Sequence, residues 1–473
     1  MIKIAIIGAG SIVFSGRLIS DLVQARHELR GAHVVLMDIN RKRLEAVYAL
    51  ATRFAKEWGA HFVFQPTTSR QEALQGADFV INTAFVPGYQ KLEAERNIAE
   101  KLGYYRGIGD RVSDYYGGIG AYAQLKFSLE LAREMENVCP KAWLLQSANP
   151  VLEATTLIAR ETSVRVVGMC HGYAKILDVL KALELPEEEV EYQVAGLNHC
   201  IWLTRFRYKG ENAYPLLDHW LEAKATAFWS DEKYWFQPQQ YQMSPAAFAL
   251  YKMFGLFPIG DTVRAATPWW FHENLETQKR WFPAGGMDSE IGWTCRLSQN
   301  IRQLQRFEQA IRTSLLNFRE IFSDEPSREP HIPFVIAVVN NKPARLVLNV
   351  PNQDVIHGIP SDVVVEVHCL VQGEEIRPEP VEPFPKRLML YVIIPRWLRM
   401  ERMLYAFQAG DRMSLVLEIA EDHRTRSWEQ AIKVVEELLA QPWNEEAQRH
   451  YKNPPWGWDF PTHDYRRTME FEP

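Results

Sequence analysis

A cysteine and two histidines in this sequence carry the side-chain chemistry needed to bind a divalent transition metal. Cys170 and His171 follow the apolar run Val166-Val167-Gly168-Met169, and His199 follows Gly196-Leu197-Asn198. A thiolate and an imidazole give a two-point grip on such an ion and leave coordination positions for substrate oxygens and water. In the alternative interpretation, Cys170 and His199 are ordinary packed side chains of the interior.

Two further polar runs have types and spacings that suit a site. Gly260-Asp261-Thr262-Val263-Arg264 places a carboxylate and a guanidinium beside a glycine, which is more typical of a polar site than of a core. Alternatively, Asp261 caps a helix and Arg264 faces solvent. Asn149, in Gln146-Ser147-Ala148-Asn149-Pro150, either caps the next helix or binds a sugar hydroxyl or the nicotinamide region of a cofactor.

The first apolar run, Ile4-Ala5-Ile6-Ile7, ends in a glycine turn that suits a dinucleotide. Gly8 permits the tight turn and Gly10 lets phosphate approach the backbone at a helix N-terminus. Ser11 and Ile12 follow in the same turn and are predicted to contact the cofactor. Val13 occupies the place of the third glycine of the usual G-x-G-x-x-G pattern.

Asp38 ends the second apolar run, Val34-Val35-Leu36-Met37. A carboxylate at this position accepts both hydroxyls of the adenosine ribose and repels a 2′-phosphate, so the sequence favours NAD over NADP. In the alternative interpretation Asp38 only caps the helix that begins near Asn40.

The elements that would position these residues alternate between apolar strands and amphipathic helices over the first part of the chain. This order is typical of a parallel sheet with helices on both faces, and it predicts an α/β protein with an N-terminal Rossmann-like, doubly wound domain at 1–190. The predicted strands are 2–7, 33–38, 61–65, 78–83, 142–147 and 164–168, and the clearest predicted helices are Arg17–Leu29, Arg41–Trp58 and Ala121–Asn137.

The remainder, 191–473, loses the regular alternation and is predicted to be an α+β domain for substrate, metal and subunit contacts. Its predicted strands are 190–208, 345–350, 362–369 and 388–394, and its predicted helices are 296–321, 398–408, 413–420 and 427–440. Residues 103–120 are too rich in glycine for a helix, so they form either a lid over the cofactor or a surface excursion. The aromatic tail from Pro454 is predicted to pack against something, such as another subunit.

Composition narrows the classes of function. The 53 basic and 59 acidic side chains are spread along the chain without a basic block, so nucleic acid is not an expected partner. Five cysteines at irregular spacings favour a reducing compartment. We find no secretory leader and no apolar stretch of ~18 residues that would span a membrane, so the sequence predicts a cytoplasmic protein with no membrane partner.

Taken together, these runs resemble glycoside hydrolase family 4, the NAD- and metal-dependent glycosidases, over nearly the whole chain. The runs that carry the resemblance are the Gly8 turn, Asp38, Ser147 to Pro150, Cys170, Gly196 to His199, Gly260 to Arg264, and Asn352 through Pro360-Ser361-Asp362 to Glu366. The resemblance implies that Cys170 and His199 hold the ion, usually manganese. It also implies that Asn149 and Asn198 lie against the sugar, and that Asp261 is the catalytic base.

Glucosidase and galactosidase relatives have an aspartate after the metal cysteine as the acid for the leaving group, whereas this chain has His171. Imidazole can perform the same proton transfer near neutral pH. Cys170-His171-Gly172 resembles the uronidase branch, whose members act on α-glucuronides or α-galacturonides. A uronate needs a cationic or donor-rich partner, for which Arg264 and His171 are the candidates.

The resemblance implies a mechanism in which C3 of the sugar is temporarily oxidised by NAD, the C1 substituent is eliminated across C1–C2, and water is added before the hydride returns. It also implies a homodimer or homotetramer. The alternatives are a neutral-sugar α-glucosidase or α-galactosidase of the same family, and a lactate- or malate-type 2-hydroxyacid dehydrogenase, which needs no metal cysteine. A third alternative is a non-catalytic protein that senses a nucleotide.

Overall fold

The computed structural model describes residues 2–105, 121–312 and 327–452. In this part of the chain thirteen strands form one mixed sheet. The strands are β1 Lys3–Ile7, β2 His33–Met37, β3 Val63–Thr67, β4 Phe79–Asn82, β5 Trp143–Gln146, β6 Arg165–Gly168, β7 Val190–Leu197, β8 Cys200–Tyr208, β9 Glu211–Asn212, β10 Phe257–Ile259, β11 Ala344–Pro351, β12 Val364–Gln372 and β13 Glu375–Pro378.

Helices connect the strands and flank the sheet in the described ranges. They are α1 Ile12–Gln24, α2 Arg41–Glu57, α3 Arg70–Leu74, α4 Tyr89–Lys101, α5 Ala121–Val138, α6 Val151–Glu161, α7 Ile176–Leu183, α8 Tyr214–Ala223, α9 Ala225–Ser230, α10 Glu232–Trp235, α11 Pro245–Phe254, α12 Thr262–Ala265, α13 Leu275–Trp281, α14 Glu290–Arg312, α15 His331–Val339, α16 Lys386–Leu388, α17 Ile394–Ala409, α18 Arg412–Ala420, α19 Trp428–Leu439 and α20 Glu445–His450.

The first six strands are parallel and run in the order β3-β2-β1-β4-β5-β6, the order of a doubly wound dinucleotide fold. Successive residues of β1 are buried in different cores: Ile4 and Ile6 in one, Ala5 and Ile7 in another. Because side chains alternate between the faces of a strand, helices cover both faces of this half. The predicted α/β class and Rossmann-like sheet are therefore confirmed.

The sheet continues past β6 into an antiparallel half, in the order β11-β12-β7-β8-β10. β11 meets β6 through one register pair, Asn349 and Gly168. β12 meets β7 through two, Glu366 with Gly196 and Val367 with Ala195. Strands from both 1–190 and 191–473 belong to this one sheet. The division into two domains at these bounds therefore stays a prediction.

The predicted strand at 388–394 is wrong. Residues 386–409 are helical throughout, with a π-helical turn at Met389–Ile393 between α16 and α17. Within 388–394 the buried residues are Leu388, Val392 and Ile393, a helical spacing that the continuous apolar run concealed. Pro395 has no amide hydrogen to donate, which suits the irregular turn just before it.

The first helix is displaced from its predicted position: it begins at Ile12 and ends at Gln24, not at Arg17 and Leu29. The predicted lid at 103–120 lies outside the described residues from 106 onward, as does the aromatic tail. The helix predicted at 296–321 is described from Glu290 to Arg312. Among the described residues, no helix is both long and apolar enough to cross a bilayer.

Candidate active site

The turn after β1 is built around two glycines. Gly8 has φ +85°, and a Cβ there would lie 2.5 Å from the Cα of Ala84, so the turn requires glycine. The amide of Gly10 donates to Asp38 Oδ2 at 2.8 Å, and a Cβ at Gly10 would lie 2.7 Å from that carboxylate group. Directly after the turn, α1 begins at Ile12 with an exposed Ser11 in the cap position. A helix N-terminus and bare backbone beside a carboxylate fit the pyrophosphate and ribose of a dinucleotide.

Asp38 is half-buried immediately after β2. Its Oδ1 accepts the amide of Asn40 at 2.7 Å, and Asn40 caps α2 by accepting the amide of Arg43 at 3.1 Å. The helix cap is thus supplied by Asn40, not by Asp38. That Asp38 binds ribose stays a prediction.

The two predicted metal ligands come from different halves of the sheet. Cys170 follows the carboxyl end of β6, and His199 lies in the two-residue turn between β7 and β8 with φ +58°. Burial lowers the pKa of His199, which keeps its imidazole in the neutral form that binds metals. Loss of solvation, with the charge of Glu366 nearby, raises the pKa of Cys170. A divalent cation reverses that effect because it binds the thiolate.

Two contacts connect these ligands to the Asp261 run. A Cβ on Gly260 would lie 2.6 Å from the carbonyl oxygen of Gly172, so the residues after Cys170 pack directly on the residue before Asp261. His199 Nε2 lies 3.7 Å from Asp261 Oδ2. No three His, Cys, Asp or Glu side chains within the described ranges form a metal site by themselves. The donor set of one thiol and one imidazole fits an ion that takes its remaining ligands from substrate and water.

Asp261 is held by a tyrosine and an arginine. The Tyr241 hydroxyl donates to Asp261 Oδ1 at 2.7 Å, and Arg264 Nη2 donates to the same oxygen at 2.8 Å. Burial works to raise the pKa of Asp261, but the charge of Arg264 and the hydrogen bonds donated by Arg264 and Tyr241 outweigh it and hold that pKa well below its usual range. Asp261 is therefore ionised at neutral pH. The alternative in which Asp261 caps α12 is not observed, since its side chain makes no cap hydrogen bond.

Arg264 is buried, with 4% of its surface exposed, and does not face solvent. Its Nη1 pairs with Asp288 while its Nε and Nη2 donate to Asp261. All three nitrogens of the guanidinium are therefore engaged by carboxylates of the protein. That Arg264 binds the carboxylate of a substrate stays a prediction.

Arg96 is a second buried cation at this site, which the sequence reasoning missed. It lies on α4 with 2% of its surface exposed, its Nη2 is 3.9 Å from Asp288 Oδ1, and its guanidinium lies 4.6 Å from the Trp293 ring centre. Among the described residues, its Nε and Nη1 have no hydrogen-bond partner. Its position on the helix after β4 was the available signal, because ligands of open α/β sheets bind beyond the strand ends.

The predicted sugar-binding asparagines lie at separate strand ends. Asn198 Nδ2 donates to Glu366 Oε2 at 2.8 Å. Glu366, which the sequence motif contained without a role, is buried, and burial raises its pKa to about 7. Asn149 is half-buried after β5, and its Oδ1 has no partner in the described part of the chain. An unpaired buried amide oxygen is available to a ligand hydroxyl.

His171 is paired with a carboxylate that the sequence reasoning also missed. Its Nδ1 lies 3.0 Å from Glu329 Oε1, which raises the pKa of His171. The Glu329 side chain is 1% exposed, and its Oε2 lies 3.7 Å from the fully buried His331. The only sequence signal was the run Glu329-Pro330-His331, which places two titratable residues around a proline.

A doubly wound sheet of the dinucleotide-binding type, with a thiol, an imidazole and an ionised carboxylate after its strand ends, is the architecture of an α/β enzyme. Residues 3–184 match the model of family 4 glycosyl hydrolase, and residues 194–425 match the model of its C-terminal domain. The chain belongs to glycosyl hydrolase family 4, as the sequence resemblance implied.

The relatives of this chain include glycosidases of different specificity. An α-galactosidase of Bacillus subtilis (strain 168) is 27% identical over 391 residues, which cover 82% of this chain and 85% of the relative. An α-galacturonidase of Thermoanaerobacter italicus is 24% identical over 388 residues, which cover 80% and 82%. The structure of a 6-phospho-α-glucosidase from gut microorganisms, in complex with NAD and Mn2+, has a TM-score of 0.74 at 17% identity and covers 93% and 97% of the two chains.

Proposed function

We propose that this family 4 hydrolase cleaves α-linked uronic acids, an α-galacturonide or α-glucuronide, with NAD and a divalent ion, manganese in the first instance. The observation that carries the proposal is Arg96, a buried guanidinium with two nitrogens that lack partners in the described chain. A buried cation of this kind costs free energy unless a ligand completes its hydrogen bonds, and a carboxylate accepts strong, charge-assisted hydrogen bonds from a guanidinium. Relatives named α-galacturonidase support the same class of substrate.

The location of Arg96 connects this cation to the reacting groups. Arg96 and Arg264 both pair with Asp288, and Arg264 also holds Asp261. A uronate carboxylate on Arg96 would therefore be connected to Asp261 through three ion pairs, Arg96–Asp288, Asp288–Arg264 and Arg264–Asp261. We propose Arg96, in preference to Arg264, as the partner of the uronate because the Arg264 nitrogens already donate to protein carboxylates.

The cofactors would be held by residues already described. The Gly8–Ile12 turn and Asp38 would bind NAD, and Cys170 with His199 would bind the metal. When bound, NAD removes and later returns a hydride at C3, and the ion polarises the oxygen on that carbon.

This chain's own side chains supply the proton transfers. Asp261 accepts the proton of C2; because Arg264 and Tyr241 stabilise its charge, it is a weak base and needs a C2 proton made acidic by oxidation at C3. His171 donates a proton to the departing oxygen, and water then adds at C1. Asn149 and Asn198 would hold the sugar hydroxyls.

A panel of p-nitrophenyl α-glycosides tests the proposal. It contains the galacturonide, the glucuronide, the galactoside, the glucoside and the 6-phosphoglucoside, each assayed with NAD, manganese and thiol. We expect nitrophenol release from a uronide without net accumulation of NADH, loss of release on chelation, and recovery when manganese is restored. Net NADH would instead identify a dehydrogenase, and uronide cleavage by enzyme free of both NAD and metal would contradict the mechanism.

The galactoside arm tests the second candidate function, a neutral α-galactosidase. That candidate is favoured by the Bacillus subtilis α-galactosidase at 27% identity. Galactoside cleavage with intact uronides would establish it in place of the uronidase.

A further inference from the structure

We propose that Glu329 is a positioning residue for the leaving-group acid: it fixes the His171 ring through Nδ1, so that Nε2 is the nitrogen that delivers the proton. This inference rests on the proposed function. The contact that carries it is the 3.0 Å separation of His171 Nδ1 from Glu329 Oε1. A ring held at one nitrogen can present only the other to a substrate.

Glu329 is itself anchored to α1 by a chain of hydrogen bonds. Its amide donates to Ser327 Oγ at 3.2 Å, and the amide of Ser327 donates to Asp21 Oδ1 at 2.9 Å. The Ser327 hydroxyl donates to the other oxygen of Asp21. Since both bonds end on α1, which leaves the nucleotide turn, the carboxylate is fixed to the same element that would orient the cofactor.

A second imidazole connects Glu329 to the predicted sugar loop. His331 Nδ1 lies 3.7 Å from Glu329 Oε2, and His331 Nε2 contacts the Ser147 hydroxyl. Ser147 lies two residues before Asn149, the predicted sugar ligand. These contacts therefore connect the partner of the acid to a hydroxyl two residues before the predicted sugar ligand.

The difference in solvent exposure between His171 and Glu329 favours a functional role for their contact over a stabilising one. The Glu329 side chain is 1% exposed, whereas that of His171 is 52% exposed. Burying a carboxylate to meet a partner that stays in contact with solvent gains little stability, because desolvation offsets the attraction. An accessible imidazole on a buried carboxylate is instead the arrangement of an oriented acid or base.

The proton transfer balances as follows. The Nε2–H bond of protonated His171 breaks and an O–H bond forms on the glycosidic oxygen, while the electron pair of the C1–O bond passes to that oxygen. The aglycone departs as a neutral alcohol or phenol. His171 is left neutral, with its remaining proton on Nδ1 toward Glu329.

The test compares a methyl α-uronide, which needs the acid, with a p-nitrophenyl α-uronide, whose leaving group needs little protonation. The enzymes are the wild type, Glu329→Ala, Glu329→Gln, His171→Ala and the double variant, all saturated with NAD and manganese. We expect Glu329→Ala to lower kcat for the methyl uronide by about 10²-fold, with KM and p-nitrophenyl turnover little changed. The double variant should be no slower than His171→Ala, because the two residues act as a unit.

Two outcomes overturn the assignment while leaving the proposed function intact: a kcat ratio of the two substrates that Glu329→Ala leaves unchanged, or multiplicative losses in the double variant. If Glu329→Ala fails to fold, Glu329→Leu, which has a similar volume but no acceptor oxygen, decides by the same ratio. The control Glu418→Gln removes another buried carboxylate, one that lies on α18 and pairs with Arg402 of α17, and should leave the ratio of the two kcat values unchanged. If the wild type cleaves neither uronide, both proposals fall.

Discussion

At the scale of single residues, the site is a set of buried charges whose partners are unevenly distributed. Arg264 forms ion pairs with Asp261 and Asp288. In the described part of the chain, Arg96 lies near the carboxylate of Asp288 alone, at 3.9 Å. A buried guanidinium with unused donors lowers stability unless something else fills them. The free energy lost in the unliganded protein would be regained when an anionic sugar binds.

Arg96→Gln should therefore change specificity more than turnover. We expect kcat/KM for the uronide to fall about 10²-fold or more, since a charged hydrogen-bonded pair is lost, while kcat/KM for a neutral galactoside changes far less. Arg412→Gln is the matched control: Arg412 is also buried and paired, with Glu436 on α19, and should affect both substrates alike. Equal losses on both sugars in Arg96→Gln would contradict the assignment.

A buried histidine away from the reacting groups gives a prediction about stability. His368 is 3% exposed, and neither ring nitrogen has a partner among the described residues. Burial, reinforced by Arg345, lowers its pKa from 6.5 to about 3. Its neutral form therefore stabilises the fold above pH 6.5, and this contribution is lost as pH falls toward 3, because only the unfolded chain takes up the proton.

His368→Leu should accordingly flatten the pH dependence of unfolding. Urea denaturation across this range should show the wild-type free energy of unfolding falling faster than that of the variant, by up to ~1.4 kcal/mol per pH unit. Identical slopes for the two proteins would show that His368 is not a source of acid lability.

Residue types alone predicted part of the candidate site. Cys170, His199 and Asp261 were predicted from glycine-flanked polar runs, and the structure places Asp261 beside His199. Arg96 and Glu329 were missed because each sits among ordinary polar residues, and only burial distinguishes it. Burial of a charge depends on what folds over it from distant parts of the chain, which no local pattern records.

At the scale of elements, the β7–β8 hairpin combines strain with a predicted ligand. His199 adopts φ +58° in its two-residue turn, a conformation that costs a non-glycine residue roughly 1–2 kcal/mol. Gly196, just before the turn, admits no side chain, since a Cβ there would lie 2.1 Å from the Cys200 carbonyl oxygen. Backbone strain of this kind is retained where function requires the side chain.

His199→Gly should therefore raise stability while removing the predicted metal site. We expect the free energy of unfolding in chelator to rise by about 1 kcal/mol in urea titrations, and manganese binding by calorimetry to be lost. His219→Gly, at an exposed position within α8, should instead lower stability by about 1 kcal/mol. Retained manganese affinity in His199→Gly would exclude His199 as a ligand.

Local periodicity predicted the parallel strands and most of their bounds, because apolar runs separated by amphipathic helices are a strong signal. It failed at 388–394, where a run of apolar residues suits a strand and a buried helix equally. It also gave no indication that β6 pairs with β11, since that contact joins Gly168 to Asn349 across the chain.

At the scale of the whole molecule, the two halves share both a sheet and a core. The largest apolar cluster contains Leu18 and Leu145 from the parallel half together with Val365 and Leu404 from the rest of the chain. Residues that bury one another's apolar surface lose that stabilisation together.

We therefore expect one cooperative unfolding transition despite the size of the chain. Tryptophan fluorescence and far-UV circular dichroism should give coincident thermal transitions, with equal calorimetric and van't Hoff enthalpies. Two resolved transitions would show that 1–190 and 191–473 are independent folding units.

The short pairing between β6 and β11 has a consequence for the evolution of proteins with this fold. Only Asn349 and Gly168 are in register across it. Under the proposed function, substitutions in the antiparallel half can therefore reshape the side of the site that holds Asn198, His199 and Asp261 without deforming the strands that would carry the dinucleotide. Under the proposed function, proteins with this fold can therefore evolve a new sugar preference in small steps while the hydride-transfer chemistry stays unchanged.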